Sequence, residues 1–224
     1  MGERAVTDST GERGGIRLHW DTREAARFYG AGRWSSARKR ARDPLLVDRI
    51  LRGHLRTTVR PVVLDVPCGA GRLAGVLATH GRYVGLDLSP AMLAEARRAG
   101  ASDALLRGEI ERLPFADESF DAVVACRLLH HLRAPERVTA VLRELCRVSR
   151  GLVVASFWDG AALPSWRRRV LPVAREARRF AHGKSVLAEA VASAGAEVLE
   201  WRHTLRFLSR QTLLVARKRP RGLP

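Results

Sequence analysis

The sequence predicts an α/β fold, a mostly parallel sheet with helices on both faces and an antiparallel hairpin at its C-terminal end. Three observations predict it. Between residues 61 and 160, short β-rich apolar runs alternate with helical patterns, the order expected of parallel strands joined by crossover helices. The runs are apolar on both of their alternating faces, as strands covered by two layers of helix must be. After residue 184 the alternation stops, and two strand-like runs follow one another across a short turn.

In chain order, residues 22–29 and 44–55 have helical spacing ahead of the first strand, 61–66 (PVVLDV). A helix over 72–80 opens straight out of a glycine-containing turn, and 83–86 is the second strand. Ser89 can cap a helix over 90–99, with Pro90 suited to its first turn. Residues 104–107 and 120–125 (FDAVVA) are the third and fourth strands. The helix at 134–148 places Val138, Val141, Leu142, Leu145 and Val148 on one face, and 152–157 (LVVASF) is the fifth strand. A helix over 185–194 ended by Gly195 leads into strands 197–207 and 211–217, which turn around Ser209. Residues 1–18 and 219–224 are expected to be loose ends.

Composition sets the class. The chain has 224 residues, 46% hydrophobic and 28% charged, which suits one globular domain and excludes disorder and collagen-like repeats. We divide it into an N-terminal extension and helical cap (1–60), a main domain (61–219) with a basic helical insertion at 159–184, and a tail (220–224). No run of 18 apolar residues occurs, and charges stand where a secretory signal would be apolar, so a soluble, cytoplasmic chain is expected. Three widely spaced cysteines without a CxxC or Cys/His cluster point to neither disulfides nor a metal site. The net charge is +17, but 37 of the 40 basic residues are arginine, a skew that a GC-rich coding sequence produces without any binding pressure. The charge is also uneven. Residues 61–160 hold 12 basic and 12 acidic residues, whereas 1–60 hold 14 and 7, and 161–224 hold 14 and 4.

The strongest constellation is DVPCGAGR, where a strand starting ahead of Asp65 runs through Gly69 and Gly71 into a helix. Glycines let the backbone turn tightly and approach a ligand, and the first N–H groups of the helix face it. Asp87 follows 22 residues after Asp65 at the end of the second strand, where a carboxylate can accept both hydroxyls of a ribose. With Ala74 the turn also satisfies the dinucleotide fingerprint G-x-G-x-x-A, so a nicotinamide or flavin cofactor stays open at this point. The plainer alternatives are a tight turn for the glycines, a helix cap for Asp87 and a surface carboxylate for Glu109.

Five ordered segments distinguish these possibilities: DVPCGAG at 65–71, GLDLS at 85–89, GEIERLPF at 108–115, SFDAVV at 119–124 and LLHHL at 128–132. In order and spacing they resemble the class I S-adenosylmethionine-dependent methyltransferases, nearest the type 11 domain that includes quinone-biosynthesis enzymes. Nicotinamide enzymes usually lack the acidic residue before the glycine turn and the LPF…SFD segment. The resemblance covers 62–158 and implies a Rossmann-like sheet of seven strands, the seventh antiparallel, with S-adenosylmethionine as cofactor. It implies that Asp65 and the turn of Pro67, Cys68, Gly69 and Gly71 face the amino-acid end of the cofactor. Asp87 would hold the ribose, Leu88 would pack on adenine, Glu109 would accept from the adenine amino group, and Ile110 would offer its N–H and an apolar face. Cys126 and Arg127 would line the methyl end. Pro67 stands where the family often has Gly, Glu109 is longer than the usual Asp, and Ser149-Arg150-Gly151 replaces Lys-Pro-Gly-Gly.

The implied reaction is in-line transfer of a methyl group to a small-molecule or lipid-linked acceptor, for which a protein base is optional. His130 and His131 are the candidate bases, with Asp159 and Tyr29 behind them, while the plain reading of LHHL is an ordinary turn. Cys68 and Cys126 have no base nearby and read as packing residues. The Arg-rich segment 163–184 has an apolar stripe and Pro172, and suits an anionic membrane surface, RNA or a lid over an anionic acceptor, or else is a solvated face. Residues 32–43 suggest a second lid, with Arg33, Trp34 and Arg42 toward substrate. The alternatives are an RNA methyltransferase, a catalytically silent cofactor-binding module serving a partner protein, and a nicotinamide reductase.

Overall fold

The computed structural model describes residues 22–28, 30, 37–55, 60–101, 104–162, 179–204 and 209–219. Seven strands, β1 (Val62–Asp65), β2 (Arg82–Asp87), β3 (Leu105–Arg107), β4 (Phe120–Ala125), β5 (Ser149–Trp158), β6 (Ala196–His203) and β7 (Gln211–Lys218), form one sheet in the order β3-β2-β1-β4-β5-β7-β6. The first five are parallel, and β7 enters antiparallel between β5 and β6. The predicted mixed sheet with a C-terminal antiparallel pair is the observed one.

Among the described residues there are six α-helices: α1 (Arg23–Arg27), α2 (Ala37–His54), α3 (Ala74–Ala78), α4 (Pro90–Arg98), α5 (Pro135–Val148) and α6 (Lys184–Ser193). Local chemistry accounts for their ends. Thr22 and Ser89 cap α1 and α4, their hydroxyls accepting from Ala25 N and Met92 N, and Pro90 and Pro135 open α4 and α5. The stripe predicted on α5 is the buried one, with Cys146 added to Val138, Val141, Leu142, Leu145 and Val148.

The core lies in two layers, one per sheet face. Under α5 and α6, Leu64, Leu86, Val123, Val153 and Leu214 pack with the α5 stripe. On the opposite face Val63, Val124 and Val154 pack with Leu77 of α3, Leu93 of α4 and Val47, Ile50 and Leu51 of α2. The alternate residues of one strand serve opposite layers, as period two requires.

Three element boundaries differ from the sequence expectation. The helix expected at 72–80 is confined to Ala74–Ala78, because residues 69–73 are turn, with Gly69 and Gly71 at positive φ. The helix expected at 44–55 begins at Ala37 and runs through Pro44, whose missing N–H removes one interior bond without ending an 18-residue helix packed on the sheet. The strand expected at 197–207 stops at His203; residues 205–208 lie outside the described residues, and the turn at Ser209 is marked by its hydroxyl accepting from Gln211 N at 3.1 Å.

Gly81 precedes β2 where the chain passes against the carbonyl of Pro61, which accepts from Arg82 N at 2.7 Å. A Cβ at Gly81 would lie 2.0 Å from that oxygen. Gly81→Ala is therefore expected to cost about 3 kcal/mol or more, the scale of forced overpacking against backbone, measured from urea unfolding. A loss below about 0.5 kcal/mol would refute it.

Candidate functional site

A cavity runs along the C-terminal ends of β3, β2, β1 and β4, the edge where open parallel sheets hold ligands. In register Asp65 lies beside Gly85 and Val124, and Asp87 beside Arg107, so the four strand ends form one continuous shelf. At its centre Gly69 and Gly71 hold φ of +54° and +76°, the left-handed region that favours glycine. A Cβ on Gly71 would also press to 3.2 Å from the Ala96 backbone of α4. The preceding Val66–Pro67 peptide is cis.

Asp87 ties the shelf together. Its Oδ2 accepts from Gly69 N and its Oδ1 from Ser89 N, both at 2.9 Å. It therefore does more than cap α4, a role that belongs to Ser89. Asp65 is buried, accepts from the Tyr83 hydroxyl at 3.2 Å through Oδ2, and has no hydrogen-bond partner for Oδ1 among the described residues. Burial pushes its carboxyl up to about 7, against the lowering effects of Tyr83 and Arg72. A buried acceptor left open in a cavity wall is the mark of a missing donor.

The β3 end of the cavity is lined by Leu88, Arg107, Glu109 and Ile110, with Glu109 exposed and Ile110 half-buried. The loop that carries them is strapped to α5. Leu113 N donates to Glu144 at 2.9 Å, and Arg147 donates to the carbonyls of Leu113 and Phe115 and to Asp117. These bonds hold the Glu144 carboxyl below the ordinary carboxylate range, the Arg147 guanidinium acting first.

At the β4 end, Cys126, Arg127 and Arg72 line the cavity. Arg127 has φ +64°, uncommon for a side-chain-bearing residue, and donates its N–H to Ser156 Oγ at 2.6 Å. Asp43 of α2 is buried here, with Oδ2 2.9 Å from Arg72 Nη2 and 2.8 Å from Arg127 Nε.

The two candidate bases separate. His131 lines the cavity, whereas His130 is 2% exposed and stacks on Trp158 at 5.0 Å. Arg210 and Arg179 sit over the same indole at 4.2 and 5.4 Å. Asp159 is buried and pairs with Lys184 at 3.3 Å, pinning the end of the basic insertion onto β5. Burial raises the thiols of Cys68 and Cys126, the latter to about 11, so both stay protonated near neutral pH.

Ten of the eleven residues named from sequence for the cofactor line this cavity, Asp65, Pro67, Cys68, Gly69, Asp87, Leu88, Glu109, Ile110, Cys126 and Arg127; Gly71 belongs to the same turn but is not in the wall. Sequence reasoning missed Asp43, Met92 and Arg137. Asp43 belongs to a helix far from the motif, and Arg137 lies one turn into α5 beside its partner Glu111. Only the spacing of Met92, three residues past the Ser89 cap, gave any sign. Tyr29, Arg33, Trp34, the insertion over 163–178 and the tail at 220–224 lie outside the described residues.

Comparison with known proteins finds relatives of the central segment. Residues 64–154 match a family described as a methyltransferase domain. A protein of Encephalitozoon cuniculi named as a methyltransferase is 32% identical over 145 residues, 64% of this chain and 66% of its own length. A demethylmenaquinone methyltransferase of Beutenbergia cavernae is 40% identical over 108 residues, 46% of this chain and 42% of its own length. The chain thus spans less than two thirds of either relative. In fold it is similar to magnesium protoporphyrin IX methyltransferase from Synechocystis, solved with bound S-adenosylhomocysteine, with a TM-score of 0.71 at 18% identity over 90% of this chain and 97% of that one. The central segment of the chain thus matches a methyltransferase domain, and its fold over most of its length is one that solved methyltransferases share.

Proposed function

We propose that the chain transfers a methyl group from S-adenosylmethionine to a small-molecule or lipid-linked acceptor. One observation carries the reading: residues of four of the five ordered segments converge on a single cavity, in an order along the shelf that suits adenine, ribose and amino acid in turn. The residues fit the cofactor. Asp65 Oδ1 is an open acceptor for an ammonium group. Asp87 accepts the backbone N–H of Gly69 and of Ser89, and its carboxylate stands at the strand end where a ribose would lie. Glu109 and Ile110 offer an acceptor and an apolar face to the adenine, with Leu88 against the ring, while Pro67, Cys68, Gly69 and Gly71 form the floor.

The cofactor supplies a methyl group already activated on sulfonium, so the protein's work is alignment and exclusion of water. Cys126 shapes the end where the acceptor approaches, and Arg127 beside it bounds both the methyl and the amino-acid ends. His131, at the cavity wall, takes the proton when the acceptor is a hydroxyl or phenol; His130 supports it from behind, at 4.3 Å between ring centres. The name of the demethylmenaquinone relative supports the lipid-linked side of the acceptor class. Among the described residues no helix is long and apolar enough to cross a membrane.

Isothermal titration with S-adenosylhomocysteine and with NAD tests the cofactor, and transfer of a labelled methyl group to extracted quinones and small aromatic acids tests the reaction. Micromolar binding of S-adenosylhomocysteine without binding of NAD is expected. Binding of NAD, or of neither, would overturn the assignment. Tight cofactor binding with no transfer to any extract would favour a silent module, and turnover on RNA with steep salt dependence would favour the RNA reading.

A further inference from the structure

The buried carboxylate at the β4 end of the cavity comes from outside the segment that matches the family. Asp43 is 1% exposed and joins three parts of the fold to α2: Arg72 after the glycine turn, Arg127 after β4, and Gln211 at the start of β7, whose Nε2 donates to Oδ1 at 3.1 Å. Both arginines line the cavity, at 13 and 18% side-chain exposure. Two guanidiniums drawn to one oxygen atom would repel each other without the carboxylate between them. Arg127 also holds a left-handed backbone, which persists only where its surroundings fix it.

We propose that Asp43 is a positioning residue that sets Arg72 and Arg127 as a wall of two guanidiniums facing the amino-acid carboxylate of S-adenosylmethionine, so that α2 must be docked for that end of the cofactor to be gripped. This rests on the cofactor reading above. A residue that only fastened α2 to the sheet would change stability and weaken every ligand alike. Asp43 acts instead on one end of one ligand.

The test compares two ligands on Asp43→Asn, by isothermal titration. S-adenosylhomocysteine carries the amino acid; 5′-methylthioadenosine keeps the adenosine and the sulfur but lacks it. At least a tenfold loss for the first, with the second within twofold of the unsubstituted chain, is expected. Equal losses for both, or no loss for either, overturn the proposal. Should circular dichroism show that Asp43→Asn is unfolded, Arg72→Gln, which leaves the Asp43–Arg127 pair in place, is judged by the same contrast. Where both fold, the double variant should lose less than the product of the two single losses, because only Arg127 is then left for Asp43 to hold; fully multiplied losses would show that Asp43 does not act through Arg72. Failure of the unsubstituted chain to bind either ligand would remove the cofactor reading itself, and the proposal with it.

Discussion

Asp87→Ala is expected to weaken S-adenosylhomocysteine binding about a hundredfold or more, near 3 kcal/mol, the scale of two lost charge-assisted hydrogen bonds. The residue has two roles, and alanine removes both. In the proposed reading it offers the ribose its acceptors, and in the structure it holds Gly69 N and Ser89 N, so that in Asp87→Ala the glycine turn and the first turn of α4 lose their common anchor. Asp87→Asn separates the roles. The amide has one acceptor oxygen and a donor where the other oxygen stood, so one backbone N–H is opposed by another. An intermediate loss is expected, with a melting temperature lowered relative to the unsubstituted chain. Titration calorimetry with a melting curve on each variant reads both effects, and a loss below fivefold for Asp87→Ala would remove Asp87 from the ribose site.

The second large effect is on pH. In the ligand-free protein the Asp65 carboxyl titrates at about 7 because it is buried, with one oxygen unpaired. An ammonium group binds the ionised form. Affinity for S-adenosylhomocysteine should therefore change little between about pH 7 and 8 and fall toward tenfold per pH unit below 7, over a range in which an α-amino group, of pKa about 8, stays charged. Up to one proton is released per ligand bound at acidic pH, visible as a difference in binding heat between buffers of different ionisation enthalpy. Stability of the ligand-free chain follows the opposite sense. Between about pH 4, where the carboxyl titrates when unfolded, and about 7, the folded state binds more protons at Asp65 than the unfolded state does. This residue's contribution then falls as pH rises through that window and recovers as pH drops. Asp65→Asn should flatten both profiles. An unchanged slope in Asp65→Asn would assign the titration to another group.

The fold was legible wherever a local rule coincided with burial. β4 and the α5 stripe were found from residues 120–125 and 134–148 because period two and period 3.6 survive in any sequence whose faces meet a core. The boundaries that moved lie where tertiary contacts override local preference. Pro44 is a helix breaker that α2 carries in its interior because Val47, Ile50 and Leu51 are fastened to the sheet. Positive φ at Gly69 and Gly71 delays α3 by two residues because the turn is shaped around the cavity.

The sequence by itself determined the alternation of strands and helices along the motif and the positions of Asp65, Asp87 and the glycine turn. All of these sit within a few residues of a strand end, where chain direction dictates which way a side chain faces. It did not determine which of the adjacent histidines meets the cavity, because one residue along a short 3₁₀ turn decides between the wall, for His131, and the stack on Trp158, for His130. Nor did it show Asp43. The pairing of that carboxylate with Arg72, Arg127 and Gln211 spans separations of up to 168 residues and exists only once α2 lies on the sheet, since no local spacing encodes a contact made by docking.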